Sequence, residues 1–424
     1  AGYSTAHIGK WHLGLPTEQY DKPTPDQHGF DYWFSAPNFY DNDAVLSAQG
    51  RAVATQGESS FVTVDAADPH EEVHRRMAEA ILIPVGALLA SAVIFSLFLM
   101  ALGKSPIDYF ELLWRGGFGT SFSLQNTLQR SAPLILTALA FAIPAQIGLV
   151  MIGAEGALVL GGFSAAAIAI PLVSAGLWPP LTMLLMALFA MAAGGAWIAI
   201  VGWLRHARGV NETISSLLMT YIAIAIMNFF VEGALRDPGS ANKPSTMPIG
   251  KDYMVGYIPG TDIHWGLVAG IVLAIALQIL MTRTTFGFAA RVTGGNARAA
   301  LAQGLPVGRL MVACTAIAGA CAGLAGYYEV AAIHGQANAS LVAGYGFTGI
   351  LVSFLARHNP IMILPVAVMF GAIEASGGLI QRRMDMPDAT ALVLQGIIFV
   401  VLLTSETLYG RFAIFQPKAG AERT

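Results

Sequence analysis

The chain has 424 residues, of which 55% are hydrophobic and only 12% charged, with a net charge of −3. Soluble globular proteins carry roughly a quarter of their residues charged, so one ordinary soluble domain is excluded. Charge also divides the chain near residue 70: residues 1–72 hold 3 Lys/Arg against 11 Asp/Glu, and residues 73–424 hold 20 against 15.

The acidic head contains three informative runs, Gly2-Tyr-Ser-Thr-Ala-His-Ile-Gly-Lys-Trp-His-Leu-Gly14, His28-Gly-Phe-Asp-Tyr-Trp-Phe34 and Gly57-Glu-Ser-Ser-Phe-Val-Thr-Val-Asp65. They resemble the sulfatase family over about 67 residues, the first run matching its second signature. The resemblance implies that Lys10 and His12 form a cation pair for a substrate sulfate, and an ammonium beside an imidazole suits a tetrahedral oxyanion. A working sulfatase also needs a Cys/Ser-x-Pro-x-Arg nucleophile and an Asp/Asn metal cluster, and residues 1–72 contain neither. His7, His12 and His28 lack a metal-ligand spacing of their own. About 70 residues of a larger α/β domain bury too little core to fold alone. Residues 1–70 are therefore expected to be an incomplete α/β fragment, truncated upstream, with a remnant Lys10/His12 pair, no catalysis and no bound metal.

Beyond the head, apolar windows reach the ~20 residues that span a bilayer. Ten are expected, near 80–102, 133–149, 152–171, 180–204, 212–235, 265–282, 307–333, 343–356, 360–380 and 389–408. The second and third are closely joined and the eighth is short, so eight to ten spans bracket an all-α polytopic membrane domain over 71–424. A re-entrant segment in place of the third span is the alternative. A ten-span path puts 12 Lys/Arg on one side and 8 on the other, and the richer side is expected to be cytoplasmic. Gly161-Gly162, Gly194-Gly195, Gly319, Gly323 and Gly326 are expected to form helix-packing faces. Pro133, Pro144, Pro171 and Pro365 mark places where helices can break. Cys314 and Cys321 read as small buried residues.

Two polar stretches interrupt this pattern. Gln146-Ile-Gly-Leu-Val-Met-Ile-Gly-Ala-Glu-Gly156 sets a carboxylate between glycines among apolar residues. Glu155 either ties a helix break or serves a transport path, because an ionised group in the membrane must be paired or wet. The interval 283–306 is basic and alanine-rich, with Asn296 expected to cap a short helix over Ala297–Gln303 that ends at Gly304. Polar residues in or at the ends of spans, Gln146, Asn211, Glu212, Asn228, Glu232, Glu329, Asn338 and Glu374, join Glu155 as path candidates. For Asn211 and Glu212 an interfacial ion pair with Arg205 or Arg208 is the plainer reading.

Ile-Gly-Ala-Glu-Gly at 152–156, Gly209-Val-Asn-Glu-Thr-Ile-Ser-Ser-Leu-Leu-Met-Thr-Tyr-Ile222, Gly294-Gly-Asn-Ala-Arg-Ala-Ala300, Gly344-Tyr-Gly-Phe-Thr-Gly-Ile350 and Ala356-Arg-His-Asn-Pro360 resemble permease subunits of bacterial ABC importers. The likeness is to the ribose, nucleoside and branched-chain amino-acid superfamily, and within it the nucleoside and simple-sugar branch. Met151 and Ala157 depart from that family's Asn-Ile-Gly-x-Glu-Gly-Gln pattern. The resemblance implies a multi-pass protein of the bacterial cytoplasmic membrane, in contact with lipid and working by alternating access. It implies a second permease (homo- or heterodimer), a cytoplasmic ATPase and an extracytoplasmic solute-binding lipoprotein. Residues 283–306, with Arg291, Gly295, Asn296, Arg298 and Gly304, would be the ATPase-coupling segment, and the outer loop 236–264 a docking surface. No Gly-x-x-x-x-Gly-Lys-Ser/Thr loop occurs, so ATP-Mg is expected on the partner, no cofactor on this chain, and nucleic acid is not a partner. A membrane-tethered sulfatase and a secondary transporter are the competing readings.

Overall fold

A computed structural model describes residues 69–240, 243–387 and 389–406, with side chains from residue 82 to 405, and the backbone of three short strands. The chain divides into two compact units, residues 1–86 with 404–424, and residues 87–403. In the first, β1 (Ala6–Ile8) pairs parallel with β2 (Tyr32–Ser35), and β2 antiparallel with β3 (Leu46–Ser47). The expected sulfate pair, Lys10 and His12, lies outside the described residues.

Helices build the rest: α1 (Pro69–Ala101), α2 (Pro106–Gly117), α3 (Ser121–Gln146), α4 (Ala154–Ser174), α5 (Pro179–Arg208), α6 (Glu212–Glu232), α7 (Gly266–Arg283), α8 (Thr285–Gly295), α9 (Ala297–Ala302), α10 (Val307–Tyr328), α11 (Tyr345–Leu355), α12 (Ile363–Met384) and α13 (Ala389–Glu406). A π-helical turn, Glu329–His334, prolongs α10. Eight described helices are long and apolar enough to cross a membrane, and Ala339–Leu355 and Ala389–Ser405 are shorter apolar stretches. Each expected window thus meets a helix, and the count falls within eight to ten. The third window is a 21-residue helix, α4.

Two features escape the apolar windows. The first turns of α3 carry Gln125, Asn126, Gln129 and Arg130, so the helix begins twelve residues before its hydrophobic stretch (133 − 121). The short helix α2 is too mixed in polarity to register. Ser105 caps it by accepting from the Asp108 amide, Pro106 pre-sets its first turn, and its end packs on α12. A Cβ on Gly117 would lie 2.8 Å from the Cβ of Ala372.

The glycine faces pack as expected. On α10, a Cβ added at Gly319 would come within 2.1 Å of the Gly194 carbonyl on α5. One added at Gly161 on α4 would lie 2.4 Å from the Gly323 Cα. Backbones this close replace side-chain interdigitation with broad main-chain contact, the packing available where lipid removes the hydrophobic drive.

The prolines do not break the helices. α3 runs through Pro133 and Pro144 and α4 through Pro171; the burial of α3 among its neighbours outweighs the hydrogen bond lost at Pro133. The break falls instead at 335–344, which holds a single 3-10 turn, Ala339–Leu341, between the π-helical turn and α11.

Candidate functional site

Non-helical backbone inside a membrane domain must find its hydrogen bonds in protein or a watered cavity. Here much of that duty falls on Glu155. Its side chain is fully buried in the first turn of α4. Oε1 accepts from the Gly344 amide at 2.7 Å and Oε2 from the Gly346 amide at 2.6 Å. The carboxylate therefore sits on the N-terminus of α11, where unsatisfied N–H groups and the helix dipole favour an anion. The main chains touch as well: a Cβ on Gly346 would lie 2.2 Å from the Glu155 nitrogen. Thr137, deep within α3, secures the same turn by donating to the Tyr345 carbonyl at 3.0 Å. The tie to a helix break is thus realised.

Around this junction the fold gathers other polar groups. Glu329, 3% exposed, opens the π-helical turn, with Oε2 3.5 Å from His334 Nε2 and no hydrogen-bond partner for Oε1. The wider π turn brings residues five apart together, and such turns recur at functional sites. Tyr345, 9% exposed, is an electrostatic neighbour of Glu329, Glu374, Arg130 and Glu155. Three expected path candidates, Glu155, Glu329 and Glu374, thus share one neighbourhood. Arg130, His334 and Tyr345 belong to it and were not anticipated; Tyr345 lay inside a quoted motif, but its role was not legible.

The remaining candidates lie elsewhere. Gln146 ends α3 and donates through Nε2 to the His358 carbonyl at 3.1 Å. Asn338 accepts from the Ser340 amide at 2.8 Å, holding a tight turn. Asn228 is half-buried on α6, and Glu232 is exposed at its end. Glu212 pairs with Arg205 at 3.2 Å, as its plainer reading has it, whereas Asn211 caps α6 through the Ile214 amide and makes no ion pair there.

At one end of the bundle the coupling candidates assemble. Asn296 Oδ1 accepts from the Arg298 and Ala299 amides at 3.0 and 3.1 Å, so α9 starts at the expected cap. Gly304 closes the turn at φ +79°, a left-handed position that favours glycine. A separate helix, α8, precedes it, and Arg291 bonds back to the Met281 carbonyl. Gly295 is the exposed last residue of α8, and Arg298 is exposed on α9. This end also holds the start of the 147–153 link: a Cβ on Gly294 would sit 2.3 Å from the Gln146 carbonyl. Within the link, the Val150 carbonyl accepts from Thr213 Oγ1 at 2.7 Å and the Ile152 amide donates to Ser216 Oγ at 2.9 Å.

The loop between α6 and α7 is stitched to the residues around and after the π turn. Val255 N donates to Ala331 O at 2.8 Å, Ile249 N to Gly335 O at 2.9 Å and Thr246 N to Ala337 O at 2.9 Å. Among the described residues no group of three His, Cys, Asp or Glu could hold a metal ion.

Comparison with known proteins places the chain in a family. Residues 123–403 match the family described as branched-chain amino acid transport system / permease component. A glucose ABC transporter permease protein of Haloferax volcanii is 31% identical over 340 residues, 76% of this chain and 87% of that one. A nucleoside ABC transporter permease protein of Lactococcus lactis is 27% identical over 76% of this chain and 90% of its own. A guanosine ABC transporter permease protein of Bacillus subtilis is 27% identical over 77% and 93%.

Proposed function

The chain belongs to the branched-chain amino acid transport system / permease component family, a multi-pass transport component of the cell membrane, and from that premise we propose that it carries a nucleoside or simple sugar. The family match over residues 123–403 carries this reading, and the glucose, nucleoside and guanosine relatives support the solute class. ATP is hydrolysed by a separate cytoplasmic ATPase with its own Mg, and an extracytoplasmic lipoprotein delivers the solute. A second permease subunit completes the path.

Alternating access requires two states biased by ATP. The exposed α8–α9 segment, with Arg291, Gly295, Asn296, Arg298 and Gly304, is the part of this chain that meets the ATPase. It adjoins the end of α3, so a push there reaches the link into α4 and, through Glu155, the start of α11. Glu155, Glu329 and Glu374, with Arg130 and Tyr345, are the polar groups along the path. The 236–264 loop receives the binding protein.

The test is reconstitution of this chain with its ATPase, partner permease and binding protein in liposomes. ATP-driven uptake of labelled guanosine or glucose is expected. Arg298→Glu should cut uptake at least tenfold, because a reversed charge on an exposed docking helix repels the surface that the arginine met. Wild-type uptake by that variant removes α9 from the coupling surface. Uptake that persists with an inactivated ATPase favours a secondary transporter.

A further inference from the structure

The two carboxylates beside the broken span are used differently. Glu155 has each carboxylate oxygen engaged by a backbone amide, so its charge is already met by protein donors. Glu329 is as deeply enclosed, yet one oxygen touches only a histidine at 3.5 Å and the other has no partner. A buried acceptor left open costs about 1–3 kcal/mol, more for a charged group. Such a cost is retained where a donor arrives during the working cycle.

Several observations narrow the donor. No metal-holding cluster exists among the described residues, so a divalent cation lacks ligands. The open oxygen is single, and it belongs to a residue that directly follows the aromatic pair Tyr327 and Tyr328 in the chain. It also opens a π-helical turn, a segment whose geometry is not locked by the ordinary helical ladder. A carboxylate oxygen accepts from a sugar-like hydroxyl, and sites for small polar solutes pair a few such groups with aromatic lining.

We propose that Glu329 Oε1 is a transient solute contact that accepts a hydroxyl of a neutral polyhydroxylated solute, whether ribose or hexose, when the path opens between α10, α11 and α4. This rests on the permease reading above. Glu155 is then the strut that fixes the α11 end of the site, and Glu329 the group that reads the solute.

The reconstituted complex tests this in two arms. In the first, uptake of guanosine is compared with 2′,3′-dideoxyguanosine, and of glucose with 2-deoxyglucose, in wild type, Glu329→Gln and Glu329→Leu. The binding protein is common to all three, so its own selectivity cancels in the ratio of ratios. The preference for the hydroxylated member should fall at least fivefold in Glu329→Leu, with Glu329→Gln between; the pair affected distinguishes ribose from hexose. An unchanged preference in Glu329→Leu overturns the proposal. In the second arm, Glu329→Cys is treated with a small water-soluble thiol reagent during ATP turnover, Cys314 and Cys321 being buried. Labelling that the transported solute slows is expected, and no labelling in any nucleotide state overturns the proposal. Failure of wild type to take up any of the four solutes strikes the solute class instead, and the labelling arm still judges Glu329.

Discussion

Glu155 can be exchanged for glutamine with almost no change of volume, which isolates what its charge does. The glutamine amide would turn an N–H donor toward one of two backbone N–H groups. One charge-assisted bond is lost, worth about 1.5–3 kcal/mol, together with the anion at the α11 N-terminus. Glu155→Gln should therefore lower the thermal midpoint of the purified protein by several degrees. An unshifted midpoint would mean that the two amides find other partners. His358, in the connection between α11 and α12, gives a pH prediction. Its ring lies against Phe141 and Phe354, with Nδ1 3.0 Å from Ser353 Oγ. Burial, and then the adjacent Arg357 charge, push its pKa down to about 4. An unfolded histidine titrates near ~6.5, so between those values the unfolded chain binds a proton that the folded chain refuses. The stability from this group is full above ~6.5 and declines toward pH 4, by roughly 3 kcal/mol at most. The thermal midpoint of His358→Gln should fall less than wild type between pH 7 and pH 5; parallel falls would exclude His358 as the cause.

Among the elements, the glycine-lined contact of α10 with α4 and α5 is the least tolerant. Gly319→Ala sets a methyl 2.1 Å from the Gly194 carbonyl, a backbone atom that moves only with its helix. Helix separation costs packing along the whole seam, so the variant should lose its monodisperse peak on size-exclusion chromatography. Gly378→Ala, where nothing lies within 4 Å, should retain it. These faces were legible because small residues at helical spacing have one dominant use in a membrane. So was α9, since Asn296 and Gly304 are local signals that act within a few residues. The gap between the windows ending at 333 and starting at 343 marks the break, but the π turn at Glu329 and the ties that hold 335–344 were not legible. Their hydrogen bonds come from Val255, Thr246 and Glu155, which are distant in sequence, and apolar windows carry no trace of such pairings. Prolines misled for the complementary reason: local rules mark Pro133 as a break, but α3 is buried among neighbouring helices and continues through it.

At the scale of the whole molecule, the functional reading requires that α8–α9 and the α6–α7 loop lie on opposite faces of the membrane. Only α7 separates them, and its 18 residues rise about 27 Å, close to the ~30 Å hydrocarbon core. Lys251 in the loop and Arg298 on α9 are both exposed, so each can carry a reporter thiol. An impermeant maleimide added to intact cells should label Lys251→Cys and spare Arg298→Cys, which should react only after the membrane is opened. Labelling of both from outside would show that α7 does not cross. The reversed pattern would keep the crossing but turn the chain over. The segment bearing Arg298 would then face away from any cytoplasmic ATPase, and coupling would have to pass through the stitched loop instead.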